Sequence, residues 1–374
     1  LALTFVDTVL MGWLSPQALA AGTLAGAIFW VPMFFCTGVT SAVAPMVAEA
    51  QGARRRRDLA RCVRQGLWAA TLIGAASVIG LWNTEAILLL AGQDPENAAL
   101  AGDYMRPLLI GVLRMTWFMV LRNFVAALGH TRILLAISLA ALALNAILAW
   151  GLIFGRMGLP ALGLPGAGYA TSAVHIATLA GILLYIARTP ALARTNALGF
   201  LSRRDFAKLQ AIFRVGLPIG GALLAEVGLF SAGSLLVGLF GTAPLAAHGI
   251  ALLWASLAFM LPLGIAQAAS IRIGLALGAR IPGGVARAGA VAYALGIGTS
   301  LAAASVFLTV PELLIGFFLD ASASDTRAVI EFGVAFLAIA ALFQLADGAQ
   351  AIGQGVLRGL QDTRVPMIIS IFGY

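Results

Sequence analysis

The apolar run from Arg214 to Phe240 is long enough to cross a bilayer as one helix, which requires about 20 residues. It contains a single acidic residue, Glu226, near its middle. A carboxylate at membrane depth costs several kcal/mol unless it is neutralised, paired or in contact with water. Nothing within the run can pair with it, because Arg214 lies about three helical turns away. Glu226 is therefore either a hydrogen-bonded structural acid or part of a cation or proton site, and the second is the default hypothesis for an acid inside a membrane.

Composition extends this argument to the whole chain. Of the 374 residues, 61% are hydrophobic and only 10% are charged, whereas soluble domains carry about 25% charged residues. We therefore predict an all-α, polytopic membrane protein with the lipid bilayer as its surroundings. The net charge of +8 comes from arginines in short loops, which is typical of topology determinants and gives no indication of nucleic-acid binding.

The alternation of apolar and polar segments predicts about eleven spans, of which the first and the last are incomplete in this sequence. Loops rich in arginine, such as Arg54–Arg57, follow the even-numbered spans, so these loops are expected to be cytoplasmic. The loops after spans 3 and 9 are acidic and are expected on the side of the membrane opposite the cytoplasm. The predicted spans cover 1–14, 16–50, 63–82, 104–128, 133–154, 169–188, 214–240, 245–276, 288–310, 329–358 and the residues from 365 onward.

An internal repeat organises these spans. Three pairs of segments match at offsets of 226, 226 and 232 residues: Leu19–Gly22 with Leu245–His248, Gly52–Arg54 with Gly278–Arg280, and Thr131–Arg132 with Thr363–Arg364. Each unit has an even number of spans, so both units enter the membrane in the same orientation. This pattern predicts two six-helix lobes related by a pseudo-two-fold axis along the membrane normal, an architecture of secondary transporters. We expect an N-terminal lobe at 1–190, a cytoplasmic linker at 191–213, and a C-terminal lobe at 214–374 that lacks part of span 11 and all of span 12.

A second acid lies inside the C-terminal lobe. Phe343, Asp347, Gln350 and Gln354 follow one another at spacings of four, three and four, so they share one face of a helix. A polar stripe on an apolar helix is expected to face protein or water rather than lipid. The stripe is either a seam of hydrogen bonds between helices or one wall of an ion site, to which Glu226 could contribute.

Long motifs in a fixed order connect the sequence to a known family over essentially the whole chain. The chain resembles the multidrug and toxic compound extrusion (MATE) transporters, in particular their NorM-like branch. The resemblance implies an antiporter of a bacterial inner membrane, a monomer without cofactors, that exports cationic or amphipathic drugs in exchange for Na⁺ or H⁺ by alternating access. The motifs are FVDTVLMG (5–12), VAPMVAEAQGA (43–53), LRNF (121–124), FGRMGLPALGLPGAG (154–168), GLPIGGALLAEVGLF (216–230), AAHGIAL (246–252), FMLPLGIAQAASIRIGLALG (259–278) and LRGLQDTRVP (357–366).

The resemblance also implies site residues in the C-terminal lobe. Glu226 and Asp347 match the acids of a coupling-cation site, which would hold Na⁺ or H⁺. Phe343 stands one turn before Asp347, where NorM relatives carry Tyr, so a hydroxyl ligand is replaced by a ring face. Gln350 extends the same polar face.

In the N-terminal lobe, Asp7 matches an acid tied to proton or cation coupling, and Asn145 matches its polar neighbour. Ala149 stands where a second Asn is expected, which weakens this site as a full ligand cage. Three further residues are candidates for lining a cavity: Gln354, Phe230 and Arg114.

Three other functions are weighed against this interpretation. An enzyme is disfavoured because the sequence contains no nucleotide-binding loop, HExxH motif, paired-Asp metal motif or Cys–His spacing. A flippase for lipid-linked precursors would need a cationic cavity for pyrophosphate, and only Arg114 favours this alternative. A channel is disfavoured by the two-lobe repeat.

Overall fold

The computed structural model describes residues 2–199, 205–318 and 326–373, and within these ranges all regular structure is helical. The predicted all-α fold is therefore confirmed. The helices are α1 (Ala2–Leu14), α2 (Pro16–Ser41), α3 (Val43–Gly52), α4 (Arg56–Leu81), α5 (Thr84–Leu90), α6 (Pro95–Ala127), α7 (Thr131–Phe154), α8 (Leu164–Arg188), α9 (Pro190–Ala193), α10 (Phe206–Gly238), α11 (Thr242–Gly278), α12 (Gly284–Thr309), α13 (Pro311–Gly316), α14 (Thr326–Gly359) and α15 (Arg364–Gly373).

Length and hydropathy identify the spans. Among the described residues, nine segments are long and apolar enough to cross a membrane, with α2 and α3 counted as one, and α1 is a shorter apolar helix. This agrees with a multi-pass membrane protein. Four residues that the sequence placed in the charged loops, Arg203, Arg204, Asp320 and Asp325, lie outside the described residues.

Local sequence signals set several helix ends. Ser15 is the N-cap of α2, its Oγ accepting a hydrogen bond of 3.0 Å from the Ala18 amide, and Pro16 occupies the first helical position. The Asp94 side chain caps α6 in the same way, accepting from the Asn97 amide over 3.1 Å. After α6 the chain turns at Gly129, whose φ of +83° is freely accessible to glycine.

Two elements differ from the sequence prediction. The expected second span is two helices, because α2 ends at Ser41 and α3 begins at Val43. Pro45 has no N–H to donate to the carbonyl of Ser41, which explains a break at this point. The expected acidic loop at 83–103 contains α5 and the start of α6, since Asp94 and Pro95 together initiate a helix earlier than the change in hydropathy indicates.

The first compact unit comprises Leu1–Val47 and Arg55–Gly221. Its helices α6 and α8 lie in close contact because glycines remove side chains between them. A Cβ on Gly168 would lie 2.6 Å from the Tyr104 carbonyl oxygen, and one on Gly111 would lie 2.9 Å from Ser172 Oγ. Close approach through small residues is the usual packing mode of membrane helices.

The second compact unit comprises Ala48–Arg54 and Ala222–Tyr374, and its main helices are α11, α12 and α14. The division between the units falls within α10, after Gly221, and the end of α3 belongs to the second unit. The predicted lobes with a linker at 191–213 stay a prediction.

The internal repeat is visible in this second unit. A Cβ on Gly52 would collide with the Leu275 carbonyl oxygen, and a Cβ on Gly278 would collide with that of Glu49. Gly278 and Leu275 lie 226 residues after Gly52 and Glu49, which is the offset of the sequence repeat. The glycine of each repeat therefore contacts the same position of the other repeat. Two residues after each glycine, Arg54 and Arg280 also correspond, with φ of +55° and +51°. We call this reciprocal contact the glycine crossing.

Candidate functional site

Asp7 lies inside the first unit with only 6% of its surface exposed. Both of its carboxylate oxygens accept hydrogen bonds. Asn145 Nδ2 on α7 donates to Oδ1 over 2.7 Å, and Thr171 Oγ1 on α8 donates to Oδ2 over 3.0 Å. Hydrogen bonds to a charged group contribute about 1.5–3 kcal/mol each, so three helices are tied together by one acid. The structure therefore brings together the two residues that the sequence assigned to the N-terminal site.

The surroundings of Asp7 contain further polar groups. Asn145 is completely buried, and its Oδ1 has no hydrogen-bond partner within the described ranges. Tyr104, also buried, interacts electrostatically with Asp7. A carboxylate and an amide oxygen are hard ligands of the kind that small, hard cations prefer. Ala149 is buried and supplies no ligand, as the sequence already indicated.

Asp7 forms part of the wall of a cavity of about 890 Å³ within the first unit. This volume is in the range of pockets that hold drug-sized molecules. Most of the lining is apolar, and much of it is aromatic or contains sulfur, including Trp30, Phe118, Met115 and Met119. Methionine side chains adapt to differently shaped ligands.

Three ionisable side chains besides Tyr104 line this cavity: Asp7, Arg122 and His175. Arg114, which the sequence suggested as a lining residue, is not among them. It is exposed on α6, and its Nη1 donates to the Ile110 carbonyl oxygen over 2.6 Å. The basic residue of the cavity is instead Arg122, two turns further along the same helix.

In the second unit, Glu226 on α10 and Asp347 on α14 are close enough for their charges to interact. Asp347 is buried, and Glu226 is partly buried. One turn from each acid stands a phenylalanine, and the rings of Phe230 and Phe343 meet edge to face with centroids 5.9 Å apart. Such ring pairs contribute about 0.5–1.5 kcal/mol beyond the area that they bury. The two acids and the two rings thus form one cluster across two helices.

The polar face of α14 continues past Asp347. Gln350 and Gln354 follow, and Gln354 Nε2 lies 3.3 Å from Ser370 Oγ on α15. One further turn along stands Arg358, which interacts electrostatically with Glu226. In the part of the chain that the structure describes, no group of three or more His, Cys, Asp and Glu side chains is placed to hold a metal ion. Any cation at this cluster would be held by two carboxylates with oxygen ligands from amides or water.

Three residues of these sites were not selected from the sequence: Thr171, Arg122 and Arg358. Arg358 could have been found from the sequence, because it follows Gln354 by four residues and so continues the polar stripe of α14. No signal existed for Thr171, since serines and threonines are frequent in membrane helices and its partner lies 164 residues away. Arg122 is near the end of α6, where an arginine could equally extend toward the membrane surface.

The long apolar helices define a multi-pass integral membrane protein, and two buried acids, Asp7 and Asp347, lie within its helices. The sequence model of the MatE family matches residues 1–150 and 218–374. The probable multidrug resistance protein NorM of Mesorhizobium japonicum is 43% identical over all of this chain and 80% of its own length, and that of Rhizobium meliloti is 42% identical over the same shares. Among solved structures, the eukaryotic MATE transporter AtDTX14 superposes with a TM-score of 0.85 at 20% identity, over all of this chain and 81% of its own.

This chain belongs to the MatE family, in its NorM-like branch. The likeness to AtDTX14 concerns the fold. The family is one of membrane transporters and not of enzymes, and the resemblance noted in the motifs is confirmed.

Proposed function

We propose that this protein is a secondary multidrug efflux transporter that exports cationic or amphipathic drugs in exchange for Na⁺ or H⁺. The observation that carries the proposal is the cluster of Glu226 on α10 and Asp347 on α14, two helices long and apolar enough to cross a membrane. The names of its relatives as probable multidrug resistance proteins support drugs as the cargo. The proposed location is the bacterial cytoplasmic membrane, and the proposed active form is a monomer.

The two acids can couple a cation to transport because their charges interact. Two carboxylates at membrane depth repel each other, and this repulsion is relieved when a Na⁺ ion or a proton binds between or on them. An empty, anionic cluster instead favours a cationic drug. Cation and drug therefore bind best to different states of the protein, and such differential affinity drives exchange. The ring faces of Phe230 and Phe343 offer a further surface for a cation.

The buried acid of the first unit is a second candidate for coupling. Asp7 borders a cavity of drug size, and its hydrogen bonds to Asn145 and Thr171 stabilise the ionised form. Protonation of Asp7 would weaken these bonds and release α1 from α7 and α8. Such a change of contacts among three helices is the coupling step that we assign to the first unit in alternating access.

The proposal is tested by efflux of ethidium from proteoliposomes that contain the purified protein, with separate Na⁺ and H⁺ gradients. Glu226→Gln and Asp347→Asn are expected to abolish coupled efflux while leaving protein yield unchanged. Glu331→Gln is the matched control, because this exposed acid on α14 pairs with Arg327 at the surface. Normal efflux by both site variants contradicts the coupling role of the cluster. Asp7→Asn in the same assay shows whether the first unit takes part.

A further inference from the structure

Arg114 is a charged residue of a long apolar helix that the proposed exchange does not use. The helix, α6, is one of the segments able to cross a membrane. Between residues 101 and 116, its exposed side chains recur at spacings of three, four and four, so they share one face. They are Asp103, Arg106, Ile110 and Arg114. This face, which we call the outer stripe of α6, is left uncovered by the described part of the chain.

Helices α8 and α4 lie on the two sides of the outer stripe. A Cβ on Gly111 would lie 2.9 Å from Ser172 Oγ of α8, and Leu113 lies 3.1 Å from the Cβ position of Gly74 on α4. With 3.6 residues per turn, a side chain at position 114 points between these two neighbours. Arg114 is also absent from the lining of the cavity. It therefore faces the surroundings of the protein, which for this helix are the lipid bilayer.

The polar start of α6 marks the membrane surface. Arg106 pairs there with Glu85 and with Asp103, each over 3.4 Å, and all three side chains are exposed. Such charged groups belong in the headgroup region, because hydrocarbon does not solvate them. Arg114 follows Arg106 by eight residues, so its Cα lies about 12 Å deeper. Its backbone is thus at the level of the acyl chains.

The surface beside Arg114 changes with depth as a wall in contact with lipid does. Tyr169 is exposed near the start of α8, at the level of Pro107, and tyrosines concentrate where headgroups meet hydrocarbon. Deeper, the exposed neighbours of Arg114 are apolar, with Ile110 on α6 and Ile176 on α8. Acyl chains are the material that covers such side chains in a membrane.

The guanidinium of Arg114 is turned toward the membrane surface. Its Nη1 donates to the Ile110 carbonyl oxygen over 2.6 Å, which folds the side chain back by one turn of helix. This bond uses one of its five N–H donors. Within the described residues Arg114 forms no ion pair. A charged arginine among acyl chains is costly without a counter-charge, so the geometry calls for an anion from outside the protein.

We propose that Arg114 binds the phosphate of a membrane phospholipid, in the leaflet opposite the cytoplasm. The leaflet follows from the expected topology, since α6 begins after an acidic loop. Long basic side chains extend from the hydrocarbon to the headgroups, and the planar guanidinium can donate to two phosphate oxygens at once. The acyl chains of the bound lipid lie along Ile110 and Ile176. This inference is independent of the proposed efflux.

The test measures lipid binding to the purified protein in detergent by native mass spectrometry. The probes are phosphatidylglycerol and a diacylglycerol with the same acyl chains, which lacks the phosphate. Arg114→Gln and Arg114→Leu are expected to weaken the binding of one phosphatidylglycerol by about fivefold, the typical contribution of one arginine near an anionic membrane surface. Binding of diacylglycerol should stay unchanged, and Arg114→Lys should retain most of the phosphatidylglycerol affinity.

Arg327→Gln is the matched control, because Arg327 is an exposed arginine of α14 that pairs with Glu331 over 3.4 Å. It should bind both lipids as the wild type does. Unchanged phosphatidylglycerol binding in the two neutral Arg114 variants overturns the inference. Equal weakening of both lipids overturns it too, since the position would then act through packing. An equal loss in Arg327→Gln does the same, because any exposed positive charge would then suffice.

Two further measurements keep the result unambiguous. Thermal unfolding in detergent, with midpoints near that of wild type, shows that the Arg114 variants are folded, and Leu is a side chain well suited to a surface in contact with lipid. Ethidium efflux is measured separately in proteoliposomes. Its absence in the wild-type protein would contradict the proposed function and leave the lipid site of Arg114 standing.

Discussion

Asn145 and Asp7 are 138 residues apart in the sequence, and their side chains are joined by a hydrogen bond of 2.7 Å in the interior of the first unit. The acid lies on α1 and the amide on α7, so this bond connects the beginning of the unit to its fourth long apolar segment. Its contribution to stability can be measured separately from any role in transport.

We expect Asn145→Leu to destabilise the protein by about 1.5–3 kcal/mol, because it removes a donor from a buried carboxylate. The same substitution is expected to cost much less in an Asp7→Asn background, since the charge that needs the donor is then absent. Thermal unfolding in detergent of both single variants and the double variant measures this coupling. Ser138→Ala, on the same helix and away from Asp7, is the control. Additive effects of the two substitutions would contradict a direct bond between the side chains.

Arg358 interacts with Glu226, and its removal should change cation binding in the second unit. Without this positive charge, the two acids keep more uncompensated negative charge, so the coupling cation should bind more tightly. We expect Arg358→Gln to lower the half-saturating Na⁺ or H⁺ concentration for efflux by about fivefold, the low end of typical coupling between sites. Arg358→Lys should behave like wild type. A rise in the half-saturating concentration in Arg358→Gln would rule out the proposed electrostatic relation.

Phe343 offers a gain-of-function test of the same cluster. Its ring lies edge to face against Phe230, one turn from Asp347. Phe343→Tyr adds a hydroxyl oxygen near the acids, and oxygen is the ligand that hard cations prefer. We expect tighter Na⁺ binding in titrations that follow intrinsic tryptophan fluorescence. Phe332→Tyr, an exposed position on the same helix, should leave Na⁺ binding unchanged, and an equal effect at both positions would count against a cation site at the cluster.

The glycine crossing predicts that alanine substitutions at two glycines of α11 change the stability of the protein by different amounts. Gly278→Ala places a Cβ against the Glu49 carbonyl oxygen and is expected to destabilise the protein by about 1–3 kcal/mol. Gly249→Ala is the matched control, because nothing lies within 4 Å of its Cβ position. It should leave stability unchanged or raise it by up to about 1 kcal/mol through helix propensity. Thermal unfolding of the two variants decides, and an equal loss at both positions would contradict the crossing.

Features that depend on neighbouring residues could be predicted from the sequence. The Ser15 cap with Pro16, the turn at Gly129 and the stripe from Phe343 to Gln354 all follow from local patterns. Long apolar runs predicted the spans for the same reason, because a bilayer demands length and hydropathy from each helix separately.

Features that depend on how helices pack could not be predicted in the same way. The partner of Asp7 on α8, Thr171, has no distinguishing pattern, and the direction of Arg122 depends on a bond from its neighbour Asn123 to α2. For the same reason, the sequence suggested Arg114 as the basic residue of the cavity, whereas the structure places Arg122 there. Both arginines lie on α6, and only packing decides which of them faces inward.

In the glycine crossing, the contact of Gly52 with Leu275 is mirrored by the contact of Gly278 with Glu49. In an isologous interface between identical subunits, residue i of one subunit contacts residue j of the other, and residue j of the first contacts residue i of the second. The glycine crossing follows the same rule. Within one chain, the same reciprocity is expected where two repeated segments meet about a local two-fold axis. The glycine crossing therefore relates the end of α3 to the end of α11 by such an axis.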